Sequence, residues 1–554
     1  MVSYGIGGML SSLLFVMKGK ISTMLFTSYA FLASYVCMLF LYYLLPKRFQ
    51  WMLLLGFSYF FYACQNPKYL FFLLASCVTV YATGIILQRI ADEQKKYLSK
   101  RKEVLSKEEK KNYKQKMKSR QKRWMVLCLL LNLGILAGVK YMNFFLGNIN
   151  GILRVVGSTT TLKMVDILLP MGISFYTLQA IGYVIDVYRG TIPAQKNFFK
   201  LSLFISFFPQ LVQGPISKMG EVAETLYAPH DFEGKQVIFG LQRILWGFFK
   251  KLVIADCVLT GVTTIIGDLE KYNGVYVFIG MFLYTLQLYA DFTGGIDITI
   301  GIAQTFGVVL PENFKRPYFS KTLKEYWRRW HITMCEWFRV YLFFPVSTSK
   351  FLKNFTKFAR SHFGEYVGRR LPVYMASFVV WFATGIWHGA NWNFILWGLC
   401  NWIILMVAEE IEPACEKMRK EHHLDEKFVY GLLQMLRTFL MVTCLNLFDC
   451  YATVGQTLYA FGSIFTAGNW SLLFKGALTE IGLTPWNYLV LGVGIIMMFG
   501  VSLYEEKKGS VREAIATKSY ALQSLIWCGL LLLVLVFGTY GIGYDSSQFI
   551  YNRF

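Results

Sequence analysis

The stretch PVYMASFVVWFATGIWHGANWNFILWGLCNWIILMVA at residues 372–408 contains no Lys, Arg, Asp or Glu. An apolar run of this kind is long enough to cross a hydrocarbon core about 30 Å thick. Similar runs recur along the chain, at residues 24–46, 50–65, 68–88, 124–146, 165–187, 197–213, 236–266, 274–307, 430–450, 484–504 and 522–543. We therefore predict an all-α polytopic membrane protein with roughly ten to twelve membrane-embedded helices, including re-entrant segments where a run is too short or too polar to cross.

The composition excludes a disordered chain, a collagen and an ordinary soluble enzyme. Of the 554 residues, 55% are hydrophobic and only 16% are charged, a balance that requires lipid. The formal net charge of +23 fits either nucleic acid or anionic lipid as a partner. Because the apolar runs leave no soluble region for a DNA-reading surface, we expect contact with membrane lipid and no nucleic-acid partner.

The strongest concentration of charge lies at residues 89–123, which contain 15 Lys or Arg and 5 Asp or Glu. The positive-inside rule places this basic segment in the cytoplasm. Residues 1–23 form an N-terminal extension whose apolar stretch is followed, not preceded, by Lys18 and Lys20, the reverse of a signal peptide. We therefore expect one membrane domain at residues 24–554, with Met24 as a candidate start.

His388 is the sharpest candidate for catalysis among the six histidines. It lies inside an apolar run, where an imidazole loses its hydration and either finds a partner or stays neutral. A neutral imidazole is what a general base requires, although a histidine that only bridges two helices is an equally open interpretation. Gly385 and Gly389 flank it and would let another backbone or a substrate approach closely.

A second histidine, His331, lies in the segment KTLKEYWRRWHITMCEWFRVYLFFPV at residues 321–346. Its tryptophans and arginines are typical of a helix at the level of the lipid headgroups. Anchoring is the simpler interpretation. The functional one is that Arg328 and Arg329 bind the phosphates of a carrier such as coenzyme A while His331 adds a polar contact.

Carboxylates in apolar runs also need partners. Asp186 and Arg189 have a spacing that suits an ion pair on one helix face. Asp291 and Asp297 lie in QLYADFTGGIDITIG at residues 287–301, and Asp291 is a candidate to orient an imidazole.

Several enzyme motifs are missing, namely GxxxxGK[ST], HExxH, GxSxG and CxxC, so we expect no metal site and no bound cofactor. A transporter remains an alternative, because the GPIS (214–217) and FTGG (292–295) breaks would suit one.

At these residues the chain resembles the membrane-bound O-acyltransferase (MBOAT) family, in particular its bacterial branch for alginate O-acetylation and teichoic-acid D-alanylation. The resemblance is carried by MLFTSYAFL (24–32), GISFYTLQAIGYVIDVYRG (172–190), FFPQLVQGPI (207–216), DFTGGIDITIGIAQTFG (291–307), LPENFKRPYFSKTLKEYWRRWHIT (310–333), WHGANWNFILWG (387–398) and FIYNRF (549–554). The combination of the RRWH and WHG blocks is highly specific. One departure is Val340, where FRVY stands in place of the FRDY that is usual in the alginate branch.

The resemblance implies helices around a central tunnel in which an acyl thioester from the cytoplasm meets a hydroxyl acceptor. It assigns His388 to the catalytic position and His331 to the second motif histidine, and we expect both to be catalytic residues. Asn313, Arg328, Arg329, Trp387 and Asp291 are the residues we expect to contact substrate.

The implied activity is a multi-pass O-acyltransferase of the cell membrane. It moves acetyl from acetyl-CoA or another acyl thioester to a cell-envelope polysaccharide, directly or through an extracytoplasmic partner acyltransferase. D-alanyl transfer to teichoic acid and non-enzymatic transport of acyl groups or glycan are the alternatives.

Overall fold

The computed structural model describes residues 24–541. Within this range the chain is helical and contains no β-strand, which confirms the predicted all-α class. The N-terminal extension at residues 1–23 and the FIYNRF ending at 549–554 lie outside the described residues.

The first twelve α-helices are α1 (Tyr29–Leu44), α2 (Gln50–Gln65), α3 (Tyr69–Lys100), α4 (Lys107–Leu136), α5 (Met142–Val155), α6 (Ile173–Arg189), α7 (Phe198–Ser206), α8 (Phe208–Gln213), α9 (Met219–Tyr227), α10 (Gly234–Phe248), α11 (Asp256–Gly267) and α12 (Val275–Thr305). The others are α13 (Leu323–Arg329), α14 (Ile332–Phe338), α15 (Phe344–Ser347), α16 (Lys350–His388), α17 (Trp392–Glu421), α18 (Phe428–Asn446), α19 (Val454–Thr466), α20 (Ala477–Glu480), α21 (Pro485–Lys508), α22 (Val511–Ala516) and α23 (Tyr520–Phe537). Short π-helical turns occupy Ala137–Tyr141, Phe249–Ala255 and Arg339–Phe343. Single 3₁₀ turns occupy Lys47–Phe49, Pro317–Phe319, Leu424–Glu426, Leu447–Asp449 and Trp470–Phe474.

In the described part of the chain, eight helical spans are long and apolar enough to cross a membrane, and two shorter apolar helices accompany them. The eight are Tyr69–Lys100, Lys107–Val155, Val275–Thr305, Lys350–His388, Trp392–Glu421, Phe428–Asp449, Pro485–Lys508 and Tyr520–Phe537. The protein is therefore a multi-pass membrane protein, as predicted.

The chain divides into two compact units. The described residues of the first are 24–241 and 299–311, and those of the second are 242–298 and 312–541. In the first unit, α3, α4 and α6 pack on one another. The basic segment covers the end of α3, the turn between α3 and α4, and the start of α4. Ser106 starts α4 through a reciprocal capping pair with Glu109.

The second unit carries every candidate site residue named above. Its longest pair of neighbours is α16, which has a kink at Gly364, and α17, and the two pack on each other. The π-helical turn Phe249–Ala255 packs on α21 and α23. Together these contacts give the second unit a core in which several polar residues are buried.

Candidate functional site

Small residues let α16 and α17 meet beside His388, the last residue of α16. A Cβ atom on Gly385 would lie 2.5 Å from the carbonyl oxygen of Phe394, and one on Gly389 would lie 2.4 Å from the Phe394 ring. Both distances are too short for any larger residue. The expected close approach of another backbone is therefore confirmed at Gly385, whereas at Gly389 it is the Phe394 ring that comes close.

Aromatic rings surround the imidazole of His388. The ring centroids of Trp397, Trp387 and Phe394 lie 4.7, 5.2 and 6.2 Å from that of His388. Such rings keep water away from the imidazole on these sides, which is the environment that a neutral histidine base needs.

His388 also borders a cavity of about 30 Å³ in the second unit. This volume suffices for one water-sized group. The polar residues around it are Asn401, Asn446 and Asp449, and the remaining lining is mostly aromatic and aliphatic, namely Leu288, Tyr326, Trp327, Trp330, Trp397, Val442 and Leu445. A hydroxyl placed in this cavity would have an imidazole, a carboxylate and two amides as its polar neighbours.

Asp449 is the site residue that the sequence analysis missed. Its carboxylate accepts a hydrogen bond from the Tyr284 hydroxyl at 3.5 Å, and Asn446, one turn earlier, donates to the Thr285 hydroxyl at 3.2 Å. The available signal was a carboxylate at the end of the apolar run 430–450, since an ionisable group at membrane depth is functional by default.

Asn313 organises the backbone around His331. Its side-chain oxygen accepts hydrogen bonds from the Thr333 amide at 3.1 Å, the Thr333 hydroxyl at 2.9 Å and Nδ1 of His331 at 3.3 Å. The first of these bonds caps α14, which begins at Ile332. These contacts stabilise His331 in a left-handed conformation with φ of 46°, which is uncommon for a residue with a side chain.

His331 is a neutral imidazole. Full burial lowers its pKa well below the usual 6.5, and the nearby His388 lowers it further. Because the Asn313 oxygen can only accept, Nδ1 of His331 carries the proton. Trp387 contacts both histidines, with ring centroids 5.9 Å from His331 and 5.2 Å from His388. The structure therefore brings together His388, His331, Asn313 and Trp387.

The two candidate arginines differ in their surroundings. Arg328 is exposed and makes no ion pair within residues 24–541. Arg329 is ion-paired with Glu325 at 2.8 Å and with Glu506 at 3.0 Å. Glu506 is also paired with Arg316 at 2.5 Å. Substrate binding by Arg328 and Arg329 stays a prediction, and Arg328 is the more accessible of the two.

Asp291 belongs to a buried ion-pair cluster. Lys251 lies 2.6 Å from Asp291 and 2.7 Å from Asp256, and all three side chains are at most 3% exposed. A carboxylate held this way contributes to packing around the π-helical turn. The substrate-binding role of Asp291 stays a prediction.

Comparisons with known proteins identify a family and several relatives of the chain. The family described as MBOAT, membrane-bound O-acyltransferase, matches residues 192–453. The chain is 30% identical over 484 residues to the probable alginate O-acetylase AlgI of Azotobacter vinelandii, covering 86% of this chain and 85% of the relative. It is 29% identical to the peptidoglycan O-acetyltransferase of Helicobacter pylori, covering 73% and 70%. It is 27% identical to the teichoic acid D-alanyltransferase of Bacillus subtilis, covering 42% and 58%.

Proposed function

The chain belongs to the membrane-bound O-acyltransferase family and is a multi-pass O-acyltransferase, and from this premise we propose that it transfers acetyl from a thioester to a cell-envelope polysaccharide. The O-acetylases cover most of the chain, whereas the D-alanyltransferase covers less than half. This difference favours acetyl over D-alanyl transfer. Acetyl-CoA is the thioester donor we propose, and the acceptor hydroxyl belongs to the glycan or to an extracytoplasmic partner acyltransferase.

His388 acts as the general base in this proposal. Its nitrogen takes the proton of the acceptor hydroxyl while the oxygen attacks the thioester carbonyl carbon. The carbonyl oxygen becomes negatively charged in the tetrahedral intermediate. When the carbonyl re-forms, the carbon–sulfur bond breaks, and the departing thiolate takes the proton from the imidazolium. The products are an acetyl ester and a free thiol.

Asp449 acts on His388 as a positioning residue. The observation that carries the proposal is that Asp449 and His388 border the same cavity. The carboxylate stabilises the imidazolium that forms when the acceptor loses its proton. The amide group of Asn446 borders the cavity as well and supplies a hydrogen bond to the negatively charged carbonyl oxygen.

His331 serves a different purpose from His388. Its low pKa keeps it neutral, so it does not compete with His388 for the acceptor proton. Held by Asn313, it supports the Trp387 ring that contacts His388. His331 and Asn313 thus fix the wall of the site.

The test uses purified protein in lipid nanodiscs with radiolabelled acetyl-CoA and an envelope polysaccharide. The variant is His388→Ala, and the matched control is His362→Ala, which changes an exposed histidine before the break of α16 at Gly364. General-base catalysis is worth roughly 10²–10⁴-fold in rate, so we expect His388→Ala to lose transfer by about that factor while His362→Ala stays active. Transfer by a folded His388→Ala protein at the wild-type rate would contradict the proposal. Movement of label across the membrane without ester formation would indicate a transporter.

A further inference from the structure

A second and much larger cavity lies within the second unit, with a volume of about 800 Å³. One end is charged and is bordered by five cationic and three acidic side chains. The other end is apolar and is lined by Met497, Val501, Leu525, Leu530 and Leu533. A cavity with one polar and one apolar end is suited to an amphiphilic ligand.

The charged end has an excess of positive charge. Arg243 forms two hydrogen bonds with Glu312, at 2.7 and 2.6 Å, and one with Asp297 at 2.9 Å, so the acids there are largely neutralised. Lys250 is also paired with Asp297, at 2.5 Å. Within the described range no carboxylate pairs with the exposed ammonium of Lys315. The five cationic and three acidic side chains leave an excess of two positive charges, which an anion bound there would offset.

Arg512 supports the same conclusion. Burial lowers the pKa of its guanidinium and the neighbouring Arg243 lowers it further, and the opposing effect of Asp297, Glu312 and Glu505 does not restore it. Two arginines near each other in a partly buried site are stabilised by an anion between them. A phosphate group is the anion whose geometry suits arginine and lysine together.

The apolar end lies on helices that face the bilayer. Only 17% of the apolar span of α21 and 11% of that of α23 are buried, so most of these two helices is available to lipid. Trp527 of α23 lines the cavity, and its indole N–H is buried without an acceptor among the described residues. A ligand with an ester carbonyl could accept that hydrogen bond.

We propose that this cavity binds one anionic glycerophospholipid from the surrounding membrane. Its phosphate contacts Lys315 and Arg512, its ester oxygens lie near Trp527, and its acyl chains follow Met497 and Leu530. An acetyl thioester lacks the long alkyl chain that the apolar end accommodates, which favours a membrane lipid over the acyl donor. The site is separate from the cavity at His388, with which it shares no lining residue.

The experiment measures lipid retained by the full-length protein after detergent delipidation, by native mass spectrometry with added phosphatidylglycerol or phosphatidylcholine. Each Lys or Arg that contacts an anionic headgroup strengthens lipid binding by about fivefold. We expect the double variant Lys315→Gln with Arg512→Gln to lose about tenfold or more in phosphatidylglycerol affinity. The control Lys518→Gln removes an exposed lysine that does not line the cavity and should bind as the wild type does.

A second variant tests the apolar end without altering charge. Gly529 lines the cavity with open space beside it, so Gly529→Trp fills the cavity and should displace the lipid. Gly500→Trp on α21 also points into open space but not into the cavity, and it should retain the lipid. Equal retention of the two lipids by the wild type would overturn the proposal. So would undiminished phosphatidylglycerol binding in both cavity variants, or displacement of the lipid by acetyl-CoA.

Discussion

His388 and Asp449 border the same cavity although one ends α16 and the other follows α18. An imidazole and a carboxylate that share a small space form a base whose protonated state is stabilised. We propose that Asp449, through this shared cavity, sets the strength of the base that His388 provides.

The Asp449→Asn variant should shift the pH dependence of acetyl transfer. Without the negative charge, the imidazole of His388 gives up its proton more easily, so the neutral base persists to lower pH and the acidic limb of the rate profile moves down. The maximal rate should fall about tenfold, because the base is weaker and its cation less stabilised. The measurement is the turnover number against pH.

Tyr284→Phe is the matched control for this prediction. It removes the hydrogen bond to Asp449 but leaves the carboxylate in place, so the acidic limb should not move down. A fall in rate with an unchanged pH profile in Asp449→Asn would mean that Asp449 only supports packing.

Asn313→Ala should destabilise the protein around His331. The substitution leaves the two Thr333 donors and the His331 Nδ1–H without their acceptor. Each buried donor left without a partner costs about 1–3 kcal/mol, so the loss should total at least about 3 kcal/mol. Thermal unfolding in detergent measures this loss of stability. Unchanged stability would show that the backbone around His331 does not depend on Asn313.

Asn313→Asp keeps an acceptor oxygen beside His331 but adds a negative charge. The variant therefore tests the protonation of His331 without removing the hydrogen bonds that hold this histidine. In the wild type the pKa of His331 is lowered well below 6.5. As the pH falls below 6.5, the unfolded chain therefore binds a proton at this histidine and the native state does not. Acid consequently reduces the stability of the native state. A carboxylate beside His331 raises the pKa of that histidine and should weaken this sensitivity to acid. Unfolding temperatures at pH 7.5 and pH 5.5 test the difference.

The sequence predicts the membrane helices and indicates His388 as a candidate catalytic residue, because both predictions depend on local features. Long apolar runs identify the spans, and a lone histidine inside one of them is conspicuous. Gly385 and Gly389 predicted the close approach of a second backbone or a substrate, and the structure confirms a close backbone at Gly385, where the neighbour is the Phe394 carbonyl.

The partners of buried charges could not be predicted in the same way. Asp449 reaches the His388 cavity because α18 and the 3₁₀ turn Leu447–Asp449 pack on α17, and nothing in these segments specifies that contact. Asp291 lies in an apolar run, and its partner Lys251 lies in another. Pairing between distant segments depends on tertiary packing, which a single sequence does not reveal.

The start of a helix is also hard to predict from hydrophobicity alone. The apolar run 165–187 becomes helical only from Ile173, after Pro170 and a left-handed Gly172.

Arg328→Gln should weaken donor binding without changing stability. Arg328 is exposed and makes no ion pair among the described residues, so it is available to bind phosphate. We expect the KM for acetyl-CoA to rise severalfold with little change in kcat. Arg329→Gln breaks partly exposed ion pairs with Glu325 and Glu506, and such pairs contribute no more than about 1 kcal/mol. A larger effect on KM from Arg329→Gln than from Arg328→Gln would reverse the assignment.

Lys251→Met should abolish stable folding, because it leaves Asp256 and Asp291 as uncompensated charges in a fully buried site. Removing one partner of a buried ion pair costs about 3–5 kcal/mol. The variant Lys251→Met with Asp256→Asn and Asp291→Asn removes all three charges, and it should recover monodisperse protein in size-exclusion chromatography. If this triple variant also transfers acetyl at the wild-type rate per folded molecule, Asp291 acts through packing alone. If it folds but is inactive, the carboxylate of Asp291 or Asp256 contacts the substrate, as the sequence analysis expected for Asp291.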